Sequence, residues 1–445
     1  MRRHFFLLCA GGMLSASVAW GADPVPTASP APAPADTVHV TPVTPAPTAQ
    51  PGASLVQPPG GETAEGPGDA STVVAPAAPV VTSPTLGGED LHPHFVHPLL
   101  PDAEVGHNDS NPVWAPSGTL LAFERSVESK REILVARVDG GIVKRVRFEA
   151  AEDDAGLGLL MPELTGTASY NSGLTWAPSG QQFVFMGNGG EGNYDLYLDT
   201  ISGKGAQRLT RDPQKDGQPD WSPVEDAVVF VSGRTGAAML YILDLPTRRT
   251  TRLTDGDQGY LYPRWSPNGR RIAAIYGSNE NHDIVVVDEV RAPLPVRRRL
   301  TTWEYDDLSP TWSPDGRKLA FYSNYNGNHD SKVWCIVVID ADGTAPTGGP
   351  ALAARVVAEN VIPDVATGPA WSPDGKRIVY VRNDKQDYSP IYVVDVASRV
   401  NRKLVTGTNI NHDVSCSRQG LLAFRAQVDQ WDRIYLAAID PPERP

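Results

Sequence analysis

Short apolar runs broken by polar turns fill the chain from about residue 91 to residue 440. The stretch around Trp312 shows the order most clearly. SPTWS (309–313) reads as a short strand with Trp312 facing inward. SPDGRK (313–318) is a tight turn: Pro314 presets φ, Asp315 bonds nearby backbone and Gly316 accepts a positive φ. KLAFYS (318–323) alternates in and out as a second strand, and NYNGNHD (324–330) is a polar loop. VWCIVVID (333–340) is an unbroken apolar run, which predicts a third strand covered on both faces. DADGT (340–344) turns the chain again, and a fourth strand follows near ARVVAE (354–359). The same order returns in VVFVS with LYILD, IAAIY with IVVVD, IVYVR with IYVVD, and LLAFR with IYLAAI.

The inner strand and its turn form a recurring phrase. It begins at Trp114, Trp176, Trp221, Trp265, Trp312 and Trp371, and a worn seventh copy, CSRQG, begins at Cys416. The spacing is mostly 44 to 47 residues, with longer gaps after Trp114 and Trp312. A period near 45 with Gly and aromatic marks predicts an all-β fold, a β-propeller of seven blades with four antiparallel strands each; six blades is the alternative. The six tryptophans are expected to anchor the blades, because a large flat side chain at one place in each sheet fills the wedge to its neighbour. The blade that has Cys416 in place of Trp is expected to be thinner. The last repeat ends at Ile439-Asp440 without a fourth strand. The piece before Trp114 resembles the connection before Cys416, so residues near 91–113 are expected to supply that strand and pair an otherwise open edge.

Composition adds two segments ahead of the repeats. Residues 1–22 carry Arg2 and Arg3, an apolar run from Phe5 and then small residues, which reads as a secretory signal. The arginine pair also resembles a twin-arginine signal. The apolar run is too short for a comfortable membrane span. Residues 23–90 hold fifteen prolines, no aromatic residue and no Lys or Arg. Such a stretch buries too little apolar surface to offset its ordering entropy and is expected to be a disordered Pro/Ala/Thr-rich linker. The propeller is then placed at 91–440, with 441–445 as a short tail. The net charge of −13 disfavours nucleic acid and anionic membranes as main partners. Cys335 and Cys416 fall in different repeats and give no disulfide framework.

WSPDGRKLAFYSN, the DADG turn, and the RLT endings at Arg208-Leu209-Thr210 and Arg252-Leu253-Thr254 together resemble the TolB-like propeller repeat over about 350 residues. That resemblance implies an exported envelope protein, periplasmic or secreted, whose propeller binds partner proteins. The family's own propeller has six blades and follows a folded α/β domain, whereas this chain has seven repeats after a Pro-rich segment. Similar repeats occur in the propellers of prolyl-oligopeptidase-type peptidases, but no GxSxG motif occurs in this sequence.

The segments entering each inner strand are the candidate site. Five residues before each anchor stand Asp109, Asn171, Asp216, Tyr260, Asp307, Ala366 and Asn411. Three before stand Asn111, Gly173, Gln218, Tyr262, Ser309, Gly368 and Asp413. Either these ring a central funnel and hold a cation or a peptide's donors, or they cap their own turns. His92, His94 and His97 lie close together without a supporting carboxylate pattern, and Asp340 to Gly343 lacks the later ligands of a calcium loop. No metal or cofactor site is expected. The leading function is a protein-binding scaffold without catalysis; the alternatives are a metal-dependent lactonase, a glycan lyase or a small-ligand sensor using the funnel. The loops between second and third strands emerge on the same face as the crossings. That face is expected to bind a partner through exposed Tyr260, Tyr262, Asp307, His282, His329, Tyr388 and Trp431, with Tyr194 and Tyr325 beside them.

Overall fold

Seven antiparallel ribbons form from the seven repeats, and each buries its two faces against its neighbours. The computed structural model describes residues 84–100, 106–127, 130–146, 171–189, 193–278, 281–325, 333–343, 355–385 and 387–440. The expected signal, most of the expected linker and the tail lie outside the described residues.

Two short strands come first, β1 (Thr85–Leu86) and β2 (Phe95–Pro98). Blade one is β3 (Asn108–Trp114), β4 (Leu120–Val127), β5 (Lys130–Arg137) and β6 (Ile142–Arg145). Blade two is β7 (Asn171–Trp176), β8 (Gln182–Gly187), β9 (Asp195–Thr200) and β10 (Gln207–Arg208). Blade three is β11 (Asp216–Trp221), β12 (Ala227–Thr235), β13 (Ala237–Asp244) and β14 (Arg249–Arg252). Blade four is β15 (Gly259–Trp265), β16 (Ile272–Ser278), β17 (Asn281–Asp288) and β18 (Val296–Arg299). Blade five is β19 (Asp307–Trp312), β20 (Lys318–Ser323), β21 (Trp334–Asp340) and β22 (Val356–Val361). Blade six is β23 (Ala370–Trp371), β24 (Arg377–Val381), β25 (Ile391–Asp395) and β26 (Val400–Lys403). Blade seven is β27 (Ile410–Cys416), β28 (Leu421–Val428) and β29 (Trp431–Ala438).

Blade seven is completed by the N-terminal β2, which pairs antiparallel with β29 from Phe95↔Ala438 to Pro98↔Tyr435. The closing strand is therefore where the repeat pattern placed it. The expected linker boundary at residue 90 moves: β1 pairs parallel with β26 and makes a fifth strand on blade six, so residues 84–90 belong to the propeller.

Most second strands carry one large fully buried side chain at the same step: Phe123, Phe185, Phe230, Phe321, Tyr380 and Phe424. Four of them stand opposite a tyrosine of the third strand, Phe185–Tyr197, Phe230–Tyr241, Tyr380–Tyr392 and Phe424–Tyr435, with ring centroids 5.7 to 6.0 Å apart. Such cross-strand aromatic pairs add to simple area burial. Blade four has Ala274 at this step, and Tyr260 packs in the same cluster with Ala274 and Val285.

The tryptophans make directional bonds as well as filling wedges. The indole N–H of Trp176 donates to Val113 O (3.2 Å), Trp265 to Asp220 O (3.1 Å), Trp312 to Arg264 O (3.0 Å) and Trp371 to Thr311 O (3.3 Å). Each acceptor is the residue just before the anchor of the preceding blade. Trp114, which follows the Cys416 blade, is only half-buried and its indole N–H has no such acceptor. The turn phrase also joins blades. A Cβ on Gly316 would meet Pro267 Cδ at 3.4 Å, and one on Gly375 would meet Pro314 Cδ at 3.4 Å, with φ near +68° and +67°. Within the turn, Ser313 Oγ donates to Asp315 Oδ1 (2.6 Å), which also accepts the Arg317 N–H (3.0 Å). Ser372-Asp374 repeats this arrangement.

A chain beginning at residue 84 is expected to melt at nearly the full chain's temperature. One beginning at residue 99, which lacks β1 and β2, is expected to melt lower by more than about 5 °C, because blade seven loses a strand and exposes its edge. Thermal melts by circular dichroism decide this, and equal melting of the two chains would contradict the closure.

Candidate functional site at the propeller axis

An inner strand has a partner on one side only. Its other edge faces the axis, and its backbone donors there need acceptors. Every inner strand meets this need with the same distortion. The residue three before each anchor has a left-handed backbone: Asn111 (φ 50°), Gly173 (63°), Gln218 (52°), Tyr262 (48°), Ser309 (55°), Gly368 (75°) and Asp413 (49°). In six blades the register slips there by one residue, as between Leu261 and Arg264 in blade four. This is a β-bulge, which bends the strand and re-aims its side chains. Pro112, Pro219, Pro263, Pro310 and Pro369 follow the left-handed residue in five blades. A proline, which has no N–H, is tolerated at such a break in the ladder.

The re-aimed side chains cap the next blade. Asp413 Oδ2 accepts the Asn111 N–H (3.2 Å), closing blade seven onto blade one. Gln218 Oε1 accepts the Tyr262 N–H (2.7 Å), and Glu124 Oε1 accepts the Gly173 N–H (3.0 Å). One layer further in, Thr175 Oγ1 accepts the Trp221 N–H (2.9 Å) and Asp220 Oδ2 accepts the Trp265 N–H (2.7 Å). Thr311 Oγ1 donates to Pro369 O (2.8 Å), and Ser309 Oγ donates to Val365 O (2.8 Å). Arg264 reaches from blade four to the carbonyl of Ala366, on the crossing between blades five and six.

Three carboxylates gather at this level: Glu124 and Asp413 are 3% exposed, and Asp364 is 6% exposed. Burial pushes the Glu124 carboxyl up against the opposing pull of Arg131. Burial and the neighbouring Asp413 charge push Asp364 up to about 6. Burial likewise raises Asp220 to about 6, against the charge of Arg264. Each of the three gathered acids is already bonded: Glu124 to Arg131 and Gly173, Asp413 to Arg425 and Asn111, Asp364 to the Ala366 N–H and to Thr367. A cleft between blades five, six and seven, bordered by Tyr322, Asp364, His412 and Asp413, has room for about one water, some 10 Å³. Burial lowers the His412 imidazole, and the Arg425 charge adds to it. Among the described residues, no three of His, Cys, Asp and Glu are disposed to hold a metal ion.

The residues five before the anchors do not ring a funnel. Asp109, Asp216, Asp307 and Asn411 are buried. Asp109 takes a bidentate pair of bonds from Arg125 in its own blade, 2.8 and 2.9 Å. Asp216 takes two from Arg234, and Asn411 is bonded to Ser389 and Thr408. Two expected partner contacts are thereby corrected. Tyr260 is 2% exposed because it packs under blade four, and Asp307 is 0% exposed because it lies beneath the loop before β19; neither is available to a partner. Tyr262 is half-buried at the axis. His282 is half-buried, and its Nδ1 lies 2.9 Å from Asp306 Oδ1. Tyr388 is half-buried under the Lys403 ammonium, 5.2 Å from the ring centre, and Trp431 is half-buried at the start of β29. His329 lies outside the described residues. Tyr325 meets Tyr305 edge to face at 5.1 Å, and Tyr194 lies 5.9 Å from the Lys215 ammonium. His97 stacks on Phe95, and Asp340 to Gly343 forms a hairpin turn closed by Gly343 N–H to Asp340 O at 3.0 Å. Asp220, Arg264, Glu124 and Asp364 were not singled out from the sequence. Counting one step back from each anchor would have raised the first two.

On the opposite face, Val224 and Leu294 in the turns of blades three and four are 61% and 86% exposed, and Val296 at the start of β18 is 62% exposed. That face is therefore not free of apolar surface.

Residues 163–347 match the family model of the TolB β-propeller domain, PD40. Over that stretch the propeller is TolB-like. An uncharacterised protein of Agrobacterium fabrum is 28% identical over 116 residues, 26% of this chain and 38% of that protein. An uncharacterised peptidase of Bacillus subtilis, YuxL, is 29% identical over 115 residues, 24% of this chain and 18% of that protein. The matches thus span well under half of either relative. Among solved structures, an oligogalacturonate lyase in complex with manganese superposes with a TM-score of 0.56 at 12% identity, over 79% of this chain and 95% of that one. A puromycin-hydrolysing peptidase of Mycobacterium tuberculosis gives 0.55 at 14% identity, over 81% and 56%. At these identities the TolB-like propeller shares the fold with both, and the fold does not carry their chemistry.

Asp307, like Asp364, is a buried acid with no base in an ion pair with it among the described residues. Asp307 stands opposite Ser323, where the blade-one counterpart Asp109 faces Arg125, and burial raises its carboxyl well above the usual range. A carboxyl raised on folding adds stability at low pH that is lost as pH rises through the folded value. Asp307→Asn is therefore expected to raise the melting temperature, and by more at pH 8 than at pH 5. A gain that does not change with pH would contradict this.

Proposed function

We infer that this chain is an exported protein of the cell envelope, periplasmic or secreted, that binds other proteins through the loop face of its propeller and carries no catalytic centre of its own. The observation that carries this reading is how the axial polar groups are used. Asp220, Thr175, Gln218, Glu124 and Asp413 each accept a backbone N–H of a neighbouring blade. Glu124 and Asp413 are in addition paired with Arg131 and Arg425, so taking up a proton at either would weaken an ion pair as well as a cap. The loop face offers the opposite character: half-buried Tyr388, Trp431, Tyr194 and the Tyr305–Tyr325 pair, beside charged groups. Rigid aromatic rings next to polar groups are what protein interfaces favour. Export rests on the Arg2-Arg3 pair, the apolar run and the small residues that follow within residues 1–22.

A second reading is favoured by one observation. Asp364, Asp413 and His412 border the water-sized cleft, so acid and imidazole groups stand together where a polar group of a ligand, or of the substrate of a lyase or lactonase, could meet them if the cleft widened.

The test uses a partner captured from envelope extract, purified and titrated against the full chain. Tyr388→Ala with Trp431→Ala is expected to weaken binding by about 2–4 kcal/mol, which is about 30- to 1,000-fold in Kd. Arg317→Ala and Lys376→Ala, at the exposed tips of turns on the other face, should change it less than threefold. Weaker binding on the turn-face changes than on the aromatic ones would assign the interface to the wrong face. Turnover of a sugar or lactone substrate that Asp364→Asn abolishes would favour the second reading.

A further inference from the structure

Blade six differs from its neighbours at the rim. Its outer strand β26 is paired on the far side by β1, Thr85 opposite Val400 and Leu86 opposite Asn401, in parallel. The Thr85 N–H donates to Arg399 O (3.2 Å), Gly87 N–H to Asn401 O (3.2 Å) and Leu91 N–H to Lys403 O (2.7 Å), and the Val405 N–H donates to Leu91 O (2.9 Å). A buried amide reads the added chain from within the sheet. Asn401 is 3% exposed; its Nδ2 donates to Thr85 O (3.4 Å), to Val357 O of blade five (3.1 Å) and to Arg399 O (2.9 Å). Its Oδ1 accepts from the Tyr380 hydroxyl at 2.9 Å. The positions that match Asn401 are Thr250 in blade three and Arg297 in blade four, and neither strand carries an added neighbour among the described residues.

The resident strand is lightly held. It makes two residue pairs in the parallel arrangement, which is less stable per residue, where β2 makes four antiparallel pairs. Thr85 and Leu86 are exposed, Leu86 at 57%. Gly88, at φ +85°, lets the chain leave the edge over Arg402. Further along, Leu91 packs against the cluster that contains Leu404, Val414 and Ala437.

We propose that the outer edge of blade six is a strand-docking site for an extended segment of a partner protein, and that residues 85–91 are its built-in, displaceable occupant. The site selects an extended backbone that offers N–H groups to the Arg399 and Asn401 carbonyls and a carbonyl to the Asn401 amide. It also takes an apolar side chain at the place of Leu91. It asks little of the side chains between, since those of Thr85 and Leu86 face solvent. A short strand with few buried contacts opens ahead of the rest of the fold, so the edge can be vacated while β2 keeps the ring closed. The edge adjoins the loop face at Lys403, whose ammonium lies over Tyr388, but its test uses no partner protein, so this proposal stands or falls independently of the partner contact assigned there.

The probe is a fluorescent peptide of residues 84–92, titrated against the full chain by anisotropy. In the full chain carrying Thr85→Pro, Gly87→Pro and Leu91→Pro, the resident strand loses all three N–H donors and the edge is freed. The peptide is expected to bind this variant at least tenfold more tightly than the unaltered chain, and a peptide with Leu91→Asp is expected not to bind. Failure of the peptide to bind the freed edge, or equal binding of the Leu91→Asp peptide, overturns the proposal. Amide exchange on the unaltered chain gives a second reading that needs no variant. Thr85 and Gly87 should exchange at least a hundredfold faster than the amides of β29; exchange as slow as β29 would mean that the strand is not displaceable.

Discussion

The innermost strand of each blade has a bare edge toward the axis, and the propeller exists only because that edge is satisfied. A buried N–H without an acceptor costs about 1–3 kcal/mol, and seven strands each present several. The chain meets the constraint with one device repeated around the ring. A left-handed residue three before the anchor makes a bulge, and the side chains at that residue and two steps later cap the backbone of the next blade. The indole bonds of the tryptophans act in the reverse direction, onto the carbonyl of the blade before. Each blade is thus tied to both neighbours by polar bonds at its inner margin, and the aromatic layers outside stay dry.

This accounts for what became of the axial acids. Asp, Asn, Gln and Thr recur there because they are short acceptors that reach a neighbouring N–H. The same choice leaves the axis with acids of raised pKa, Asp220 and Asp364 near 6, without leaving them unbonded. Outside these caps, half-buried rings line the loop face, and the rim of blade six carries an added strand.

Much of the fold was legible from spacing, because the Trp-Ser-Pro phrase marks both an inner strand and the turn that packs Gly on the preceding blade's Pro. Closure by β2 was legible because the last repeat lacked a strand. The site was less so. Tyr260 looked like an exposed crossing residue, yet it is buried where blade four has Ala274 in place of a large ring, a compensation between strands that spacing alone does not reveal. Asp307 looked like a surface acid because loop acids usually cap turns; instead it sits opposite Ser323 within the sheet. β1 left no mark in the sequence beyond Asn401, since two exposed residues in a Pro-rich context carry no apolar period.

The account rests on the side-chain caps, and chemical denaturation of Thr175→Val tests them most directly. Valine keeps the shape of threonine and removes the oxygen that accepts the Trp221 N–H at 2.9 Å. The account predicts a loss of about 1–3 kcal/mol in unfolding free energy, with the denaturant slope unchanged and partner binding at the loop face unaffected. Unchanged stability, or a loss of binding without a loss of stability, would contradict it.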